Sequence, residues 1–555
     1  MKILGFQSGH DVSYCLLEDG IPVIHEELER FTREKEPLGD GLEFAIKRLP
    51  EDVFNDVACY VHGNPGGRYG KYKEVCNKSE AEDKMLSRVA SGKSDNLCIG
   101  HHQSHAANAF FSSNFDKAII FTLDGSGMEK SITRDYVYEN KKPTTFNGFQ
   151  NFSCAFTVWL GEGNKITPIR RIDSGVFTVG SSWKYYTKEL FGLSSGHPHG
   201  FAGGTVMAMA SAGDGSKYYL DFAKAFIMGG GGHSAAVKAN VKKYLPIVAR
   251  SEQDRFDVAA ALQMASEQVV YETMAPYVQH YKEANNICLA GGVALNTTMV
   301  GKMFDWFPKS NIFVCPVPYD GGLSIGSAQF VWHHILGNPR VKWDTHPSPF
   351  LGMEYSKQDI LNHLEKSSAE VVFKTVTDDD VIELLDQQNI ISLFQGGAES
   401  GRRALGNRSI VADPRSSDMK GKINEKVKHR QWYRPFAPAI LREDVKDWFE
   451  KDIDSPYMSF IVKFKESVVD KVPAVVHLNG TGRLQTLTEK GNGWFYNFVK
   501  KWKAKSGVPI LLNTSFNDRE PIVETPSHAI NCFIGTDIDY LYFSDCKILV
   551  EKKHK

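Results

Sequence analysis

The alternation of apolar and polar positions predicts a β-meander at the start of the chain. Lys2–Phe6 and Val12–Leu17 are apolar runs on either side of a polar GHD corner at residues 9–11. A third run, Ile21–Glu27, follows an EDG turn at residues 18–20. A short turn that contains glycine and joins two such runs is typical of a β-hairpin.

A second copy of this pattern begins near Ala118. The apolar run IIFTLDGSG ends in a polar, glycine-rich corner and is followed by strand-like stretches around Asp135–Tyr138 and Phe156–Leu160. Between the two copies, His102–Ser112 has the spacing of a helix. The repetition predicts a duplicated unit. Its corners carry short side chains, so a phosphate could approach their backbone N–H groups.

Strands, glycine-rich turns and helices then alternate along the chain. A predicted helix, Asp257–Ala284, precedes the short strand Asn286–Ala290, which runs directly into GGVALN. Another strand, Ile312–Pro316, is followed by YDGG and a helix of small residues, Leu323–Phe330. This order predicts an α/β architecture in which ligands bind at the carboxyl ends of the strands.

A break in the pattern divides the chain in two. Leu336–Phe350 contains three prolines and little periodicity, which favours a linker. A second α/β unit begins at Ser356, with a predicted helix over Asp378–Gln388 and a strand over Asn389–Phe394. We therefore predict two domains, residues 1–345 and 346–555.

Composition excludes several classes of protein. The 555 residues include 65 Lys and Arg against 66 Asp and Glu, and 42% are hydrophobic, so the chain can build large cores and has no overall attraction for nucleic acid. No apolar run approaches the ~18 residues that cross a bilayer. The nine cysteines include no C-x-x-C pair, which argues against a disulfide scaffold or a thiolate zinc site. We expect a cytoplasmic protein with no membrane partner.

Two histidines and two aspartates form a candidate metal site. His101 and His105 are four residues apart, so on a helix both imidazoles lie on one face. Alone, such a pair is as consistent with surface or capping histidines. Asp124 and Asp320 each follow a buried strand, and two imidazoles with two carboxylates suit Fe(II), Mn(II) or Zn(II).

Arginines are concentrated among small and apolar residues of the second unit. Guanidinium groups with such neighbours favour di- or triphosphate recognition through bidentate hydrogen bonds. The strand ILLNTSFN ends in a polar set that could complete this site. The residues concerned are Arg402, Arg403, Arg408, Arg415, Arg434, Arg483, Asn513, Thr514 and Ser515.

Other candidates have an ordinary structural explanation beside the functional one. The GSG after Asp124 and the GG at residues 291–292 are either tight turns or phosphate cradles, and neither has P-loop or Rossmann spacing. Lys35 could belong to a charge-rich surface helix. His10 and Asp11 could form a turn and nothing more.

A series of ordered motifs covers nearly the whole chain: GHDVS, ERFTREK, HHQSHAANAF, TLDGSG, LAGGVALN, RRALGNRSIVADPR, WYRPFAPAI, SPYMSF, GTGRLQTL and PILLNTSFN. The series resembles the NodU/CmcH-type (TobZ-like) family of ATP-dependent O-carbamoyltransferases. The resemblance implies an ASKHA-like N-terminal domain, with the duplicated RNase H-like fold of the actin/hexokinase superfamily, followed by a YrdC-like α/β domain. It also implies that carbamoyl phosphate and ATP form carbamoyl adenylate, whose carbamoyl group passes to an acceptor hydroxyl.

The resemblance assigns roles to individual residues. His101, His105, Asp124 and Asp320 would hold Fe(II) or a similar divalent metal at the transfer site. His10 and Lys35 would be catalytic, with Lys35 also contacting the activated carbamoyl group or its phosphate. Gly292 and Asn296 would contact the nucleotide. ATP with Mg²⁺ and carbamoyl phosphate would bind at Arg403, Arg408, Arg434, Arg483, Asn513 and Ser515.

The acceptor is not determined by the sequence. A small molecule such as a natural product, sugar or nucleoside is our first expectation. A hydroxymethylated base in DNA is the alternative, because Lys420–Arg434 and Lys500–Lys505 are basic stretches with interleaved aromatics. A non-enzymatic, actin-like nucleotide-binding protein is an alternative of another class. The metal's identity, the general base and a homodimer are left open.

Overall fold

The computed structural model describes residues 1–63, 95–130, 144–146, 149–194, 202–228 and 234–553. The chain forms two compact units, Met1–Trp343 and Asp344–Lys555. The strand predicted around Asp135–Tyr138 lies outside the described residues. No helix within the described ranges is long and apolar enough to cross a membrane.

The first unit alternates strands and helices. Its strands are β1 Lys2–Gln7, β2 Ser13–Glu18, β3 Ile21–Glu27, β4 Val57–His62, β5 Asp95–Cys98, β6 Lys117–Lys130, β7 Thr144–Phe146, β8 Phe149–Glu162, β9 Lys165–Asp173, β10 Asn286–Ala290 and β11 Asn311–Val314. Its α-helices are α1 Leu28–Thr32, α2 Gly41–Arg48, α3 His101–Phe111, α4 Val179–Glu189, α5 Gly203–Ala210, α6 Tyr219–Ile227, α7 Ala235–Val248, α8 Glu252–His280, α9 Thr297–Trp306 and α10 Leu323–Gln329.

These strands form two sheets with one topology. The first sheet has the order β3-β2-β1-β4-β5, and the second has the order β9-β8-β6-β10-β11, with β7 also paired to β8. In each sheet the central strand, β1 or β6, is antiparallel to one neighbour, β2 or β8, and parallel to the other, β4 or β10. The predicted duplication is therefore confirmed. It is the arrangement that an actin/hexokinase-like, duplicated fold requires.

The opening meander shows how local sequence sets this topology. Asp19 and Gly20, between β2 and β3, both have positive φ, 48° and 87°. A two-residue turn with both φ values positive matches the twist of the flanking strands, so the hairpin closes without splaying. The predicted meander is confirmed.

Glycines allow α10 to pack closely against its neighbours. A Cβ added to Gly5 of β1 would lie 1.9 Å from the carbonyl oxygen of Ser324. A Cβ added to Gly326 of α10 would lie 1.9 Å from the carbonyl oxygen of Ser104 in α3. The small residues of α10 therefore bring α3 and β1 together around the segment that precedes α10, which carries Asp320.

The second unit is built on one mixed sheet of nine strands in the order β12-β20-β19-β13-β14-β18-β15-β17-β16. Its strands are β12 Val371–Thr375, β13 Ile391–Phe394, β14 Arg408–Ala412, β15 Ala437–Leu441, β16 Phe460–Lys463, β17 Thr481–Leu487, β18 Ile510–Ser515, β19 Tyr540–Phe543 and β20 Ile548–Lys552. Its helices are α11 Lys357–Lys366, α12 Asp378–Asp386, α13 Asp418–Lys426, α14 Val445–Trp448, α15 Gly493–Ser506 and α16 Pro526–Ile534. Trp502 of α15 is fully buried in the core between this helix and the sheet.

Candidate functional site

The four predicted metal ligands come from one helix, one strand and one 3₁₀ turn. His101 begins α3 directly after β5, and His105 lies one turn further along the helix. Asp124 lies where the pairing of β6 with β8 shifts register between Leu123 and Gly127. Such an irregularity redirects a side chain out of the regular alternation of a strand. Asp320 opens a 3₁₀ turn after β11.

The structure brings these four side chains together. His101 Nε2 lies 2.8 Å from Asp124 Oδ2 and 3.5 Å from Asp320 Oδ1. His105 Nε2 lies 3.5 Å and 3.4 Å from the same two oxygens. Ligands bound tetrahedrally at about 2.1 Å from one ion are separated by ~3.4 Å. The quartet therefore has the spacing that one small divalent cation needs.

Backbone amides fix the orientation of Asp124. Its Oδ1 accepts hydrogen bonds from the amide of Gly125 at 2.7 Å and from the amide of Gly292 at 3.3 Å. Its Oδ2 is left facing the two histidines. Gly292, predicted to contact a nucleotide, thus lies beside the metal-ligand quartet and orients one of its carboxylates.

The charges of the quartet favour a cation. Burial lowers the pKa of His105, but hydrogen bonding and the charges of Asp124 and Asp320 outweigh it and raise this pKa to about 9. Burial raises the pKa of Asp124, but His101 and His105 hold it well below its usual range. His105 Nε2 is buried and faces the two carboxylates at 3.5 Å and 3.4 Å. An imidazole nitrogen held at this distance from two carboxylates fits a divalent metal ion.

His102 is the one histidine of the HHQSH motif that points elsewhere. Its Nδ1 lies 2.6 Å from Thr122 Oγ1, and its Nε2 lies 2.9 Å from the carbonyl oxygen of Cys154. Burial, followed by the charge of His101, holds its pKa well below the usual range. His102 is a neutral structural residue that anchors α3 to the second sheet.

His10 lies at the edge of the quartet. Half of its side chain is exposed, its Nδ1 lies 3.0 Å from Asp11 Oδ2, and its Nε2 lies 3.6 Å from Asp320 Oδ2. Lys35 is half-buried and follows the end of α1 at Thr32. The interpretation of Lys35 as part of a surface helix is therefore wrong. The position of His10 at an accessible rim suits a group that meets an incoming substrate.

Asn296 has a structural function. Its Oδ1 caps α9 by accepting from the amide of Met299 at 3.2 Å, and its amide exchanges two hydrogen bonds with Gln263. Both ends of the side chain are committed inside the fold. The predicted nucleotide contact of this side chain is therefore corrected to a helix cap.

A second site is the cation cluster of the C-terminal unit, defined as Arg403, Lys428, Arg430, Arg434 and Arg483. Burial, followed by the charges of Arg403 and Arg434, holds the pKa of Arg483 well below its usual range. Burial, followed by the charges of Arg434 and Arg483, does the same to the pKa of Arg430. Every charge that shifts these two groups is positive. Desolvated cations that repel one another form a site for anions.

Lys428 ties this cluster to the end of β18. Its Nζ donates to Ser515 Oγ at 3.3 Å, to the carbonyl oxygen of Asn517 at 2.8 Å and to Asn517 Oδ1 at 2.7 Å. Lys428 is buried, and its pKa is held well below the usual range by burial and then by Arg430. The sequence did not single out Lys428, Arg430 or Asn517 for this site. Their separation along the chain concealed that the fold brings them together.

Arg408 is a correction to the predicted set. Its guanidinium is fully buried and donates to the carbonyl oxygens of Gln395, Asn407 and Gly396, and it lies 3.5 Å from the ring centroid of Phe394. Donors that are saturated by carbonyl oxygens cannot also hold a phosphate. Arg408 therefore stabilises the loop that carries Arg403 instead of binding a ligand.

Asn513, and separately a pocket beside Arg430, are further features of the C-terminal unit. Asn513 Nδ2 donates to Gln485 Oε1 at 2.7 Å, whereas its buried Oδ1 has no partner among the described residues. A pocket of about 490 Å³ opens beside Arg430 and is also lined by Asn424, His429 and Trp432. This volume is within the range of small-molecule sites.

The chain matches two family models. Residues 231–329 match the carbamoyltransferase N-terminus model, and residues 382–552 match the carbamoyltransferase C-terminus model. Nodulation protein NolO of Bradyrhizobium diazoefficiens is 32% identical over 465 residues, which is 80% of this chain and 77% of that protein. The 3'-hydroxymethylcephem-O-carbamoyltransferase of Amycolatopsis lactamdurans is 28% identical over 59% of this chain and 62% of its own length.

Structural similarity to solved proteins is weaker. HypF of T. kodakarensis aligns with 60% of this chain and 48% of its own chain, at a TM-score of 0.35 and 14% identity. The family matches nevertheless exclude the alternative of a non-enzymatic nucleotide-binding protein. On its motifs and on these matches, the chain belongs to the carbamoyltransferase family and is an enzyme of carbamoyl transfer.

Proposed function

We propose that this carbamoyltransferase depends on ATP and carbamoyl phosphate, makes carbamoyl adenylate in its C-terminal unit and uses it to carbamoylate a small-molecule hydroxyl. The observation that carries the proposal is the cation cluster. The charges that shift Arg430 and Arg483 are those of neighbouring arginines, and this concentration of positive charge suits anionic ligands. ATP and carbamoyl phosphate together bring phosphate groups enough to neutralise the cluster.

Adenylation at this cluster would proceed in two steps. Water cleaves carbamoyl phosphate to carbamate and phosphate, and a carbamate oxygen then attacks the α-phosphorus of ATP. Pyrophosphate leaves, and carbamoyl adenylate remains. Both polyanions need charge neutralisation, which Arg403, Arg434 and Arg483 would provide together with the Mg²⁺ of ATP. Lys428 would hold Ser515 in place beside them.

The quartet of the N-terminal unit would serve the transfer. His101, His105, Asp124 and Asp320 would hold Fe(II) or a similar divalent metal, which when bound would supply Lewis acidity toward the carbamoyl carbonyl or the departing phosphate. His10, at the accessible rim, would orient the acceptor hydroxyl and take part in the transfer of its proton. Lys35 would contact the activated carbamoyl group or its phosphate. The acceptor oxygen bonds to the carbamoyl carbon, and AMP leaves.

A small-molecule acceptor is favoured over DNA. The named relative from Amycolatopsis lactamdurans is a carbamoyltransferase of a hydroxymethylcephem, which is a small molecule. Four lysines of the basic stretches that suggested DNA pair with carboxylates of this protein. Lys501, Lys503 and Lys505 pair with Asp379, Asp444 and Glu383, and Lys422 pairs with Asp539. Lysines already paired with carboxylates do not form a continuous track for a phosphate backbone.

The test is the dependence of pyrophosphate release on both substrates. The purified protein is incubated with ATP, carbamoyl phosphate or both, with a panel of sugars, nucleosides, hydroxylated natural products and hydroxymethylated DNA. We expect pyrophosphate only when both substrates are present, and one small-molecule acceptor heavier by a carbamoyl group in mass spectrometry. Release of ADP that does not depend on carbamoyl phosphate would indicate a kinase and refute the proposal.

The cytoplasmic location and the homodimer both stay predictions.

A further inference from the structure

His477 is a buried histidine next to the cation cluster. It has no role in the reaction described above. It lies in a tight turn before β17, where its amide donates to the carbonyl oxygen of Thr481 at 2.7 Å and its carbonyl accepts from the amide of Gly480 at 2.9 Å. Only 5% of the residue is exposed. The turn therefore fixes the ring at the start of the strand that carries Arg483.

A chain of hydrogen bonds sets the tautomer of this ring. Thr481 Oγ1 donates to Asn479 Oδ1 at 2.7 Å and lies 3.1 Å from His477 Nδ1. A hydroxyl has one proton, so a threonine that donates to Asn479 can only accept from the imidazole. The proton of the neutral ring is then on Nδ1, and Nε2 carries a lone pair.

This lone pair is buried and unused. His477 Nε2 has no hydrogen-bond partner among the described residues. Burial, followed by the charges of Arg483 and Lys420, lowers the pKa of His477 to about 3, so the ring stays neutral at physiological pH. The ring thus offers a nitrogen acceptor beside Arg483 and Lys420, which can only donate.

We propose that His477 Nε2 accepts a hydrogen bond from the amino group of the carbamoyl moiety, and that this contact selects carbamoyl phosphate over other acyl phosphates. The inference rests on the proposed function, because it assigns the recognition of one substrate at the same site. Arginine and lysine side chains have donors and no acceptors, so they can bind the phosphate but not the amino group. A carbamoyl amino group left without an acceptor in a buried site would lose its hydrogen bonds to water.

A second acceptor is present on the face of the sheet that carries the Arg483 side chain. Arg483 and Gln485 are two residues apart on β17, so their side chains share a face. Asn513 Nδ2 donates to Gln485 Oε1, and Asn513 Oδ1 is the buried oxygen without a partner. The amino group has two N–H bonds, and His477 with Asn513 offers two acceptors. A methyl group in the same place would leave both unsatisfied.

The test compares carbamoyl phosphate with acetyl phosphate, which has the same phosphate and a methyl group in place of the amino group. The variants are His477→Leu, which removes the acceptor, and His477→Gln, which retains one near the position of Nε2. Pyrophosphate release by the wild-type protein is measured first, and its absence would refute the proposed function itself. The Michaelis constant for carbamoyl phosphate and the inhibition constants of acetyl phosphate and inorganic phosphate are then determined for each variant.

We expect His477→Leu to raise the Michaelis constant for carbamoyl phosphate by about 10- to 100-fold while changing both inhibition constants by less than about 2-fold. His477→Gln should recover most of the loss. An equal weakening of all three ligands in both variants would overturn the proposal, because it would mean that His477 contacts the phosphate or only supports the fold. If His477→Leu fails to fold, the wild-type protein decides, because an inhibition constant of acetyl phosphate equal to the Michaelis constant for carbamoyl phosphate would show that the amino group is not recognised and would refute the contact.

Discussion

At the scale of single residues, both sites are defined by ionisable side chains gathered in one place. Asp124 and Asp320 face two imidazoles in one unit. In the other unit, the positive charges of Arg403 and Arg434 act on Arg483. Gathering ionisable groups away from water reduces stability, so such sets persist where a bound ligand completes them. The first set calls for a cation and the second for anions.

His105→Ala should remove the bound metal. One of the four ligands would be lost, and the carboxylates would keep only one imidazole beside them. We expect the affinity for a divalent metal to fall by at least about 100-fold. Metal content is measured by elemental analysis after dialysis against a known free-metal concentration. His363→Ala, in helix α11 of the other unit, is the matched control. Unchanged metal content in His105→Ala would show that the quartet is not the site.

Arg483→Ala should separate activity from stability. The loss of one buried phosphate contact should slow pyrophosphate formation by about 100- to 1,000-fold. The ligand-free protein should be no less stable, because its pKa shows that the Arg483 guanidinium is disfavoured by burial and by neighbouring cations. Thermal unfolding and pyrophosphate release are measured on the same preparation.

Arg442→Ala is the control for Arg483→Ala. Arg442 pairs with Asp452 at 2.5 Å at the surface, away from the cluster, so its loss should leave pyrophosphate formation unchanged. Equal activity of the two variants would remove Arg483 from the site. A large loss of stability in Arg483→Ala would instead assign it a structural role.

At the scale of secondary-structure elements, the position of α3 against β6 decides where His101 lies. A Cβ added to Gly127 would lie 2.2 Å from Cδ2 of His101 and 2.9 Å from Cδ2 of His102. Contacts this short force the helix or the ring to move. Gly127 therefore permits the approach that brings the first imidazole to Asp124.

Gly127→Ala should weaken metal binding without touching any ligand. We expect the affinity to fall by about 10- to 100-fold, because the His101 ring is displaced. Gly125→Ala is the matched control on the same strand, since its Cβ would lie no closer than 3.7 Å from any neighbour. Titration of each protein with a divalent metal gives the two affinities. Similar values for the two variants would mean that the close approach has no influence on the site.

Elements that carry their own local signal could be predicted from the sequence. The strand Asn286–Ala290 has the predicted bounds, and α3 begins one residue before the predicted start at His102. His101 and His105 share a helix face by spacing alone, and Asp124 and Asp320 follow buried strands. The members of the metal-ligand quartet could therefore be predicted from local signals, although β6 continues through Asp124 to Lys130 instead of ending before it.

Contacts between distant segments could not be predicted in this way. Lys428 is 87 residues from Ser515 in sequence, and nothing in its own helix-like surroundings indicates burial. Arg408 belongs to the same motif as Arg403, yet its guanidinium donates to backbone carbonyl oxygens. Asn296 belongs to a glycine-rich loop that resembles a ligand site, yet it caps a helix. Long-range packing determines the surroundings of these three side chains.

At the scale of the whole molecule, the net charge of −1 conceals the division of the chain into two units with opposite requirements. The ligands of the quartet all lie in the first unit, and the cation cluster lies in the second. Because the composition averages over both units, it indicates neither the metal-ligand quartet nor the cation cluster. The division predicts that the two partial reactions can be abolished separately.

The same two variants, His105→Ala and Arg483→Ala, test this division. Arg483→Ala should lose both pyrophosphate release and carbamoylation of the acceptor, because the second reaction consumes the product of the first. His105→Ala should keep carbamoyl phosphate-dependent pyrophosphate release, although it cannot carbamoylate the acceptor. If His105→Ala lost both activities while remaining folded, the assignment of one reaction to each unit would be wrong.

Mixing the two variants tests whether the intermediate leaves the protein that made it. Carbamoyl adenylate is a mixed anhydride that reacts readily with water, so an intermediate released from His105→Ala would be hydrolysed before it met Arg483→Ala. We therefore expect the mixture to carbamoylate the acceptor at less than about a tenth of the wild-type rate. Addition of hydroxylamine should trap little carbamoyl product from the wild-type protein and more from His105→Ala. Full recovery of transfer in the mixture would show instead that the activated carbamoyl group passes freely through solution from one molecule to another.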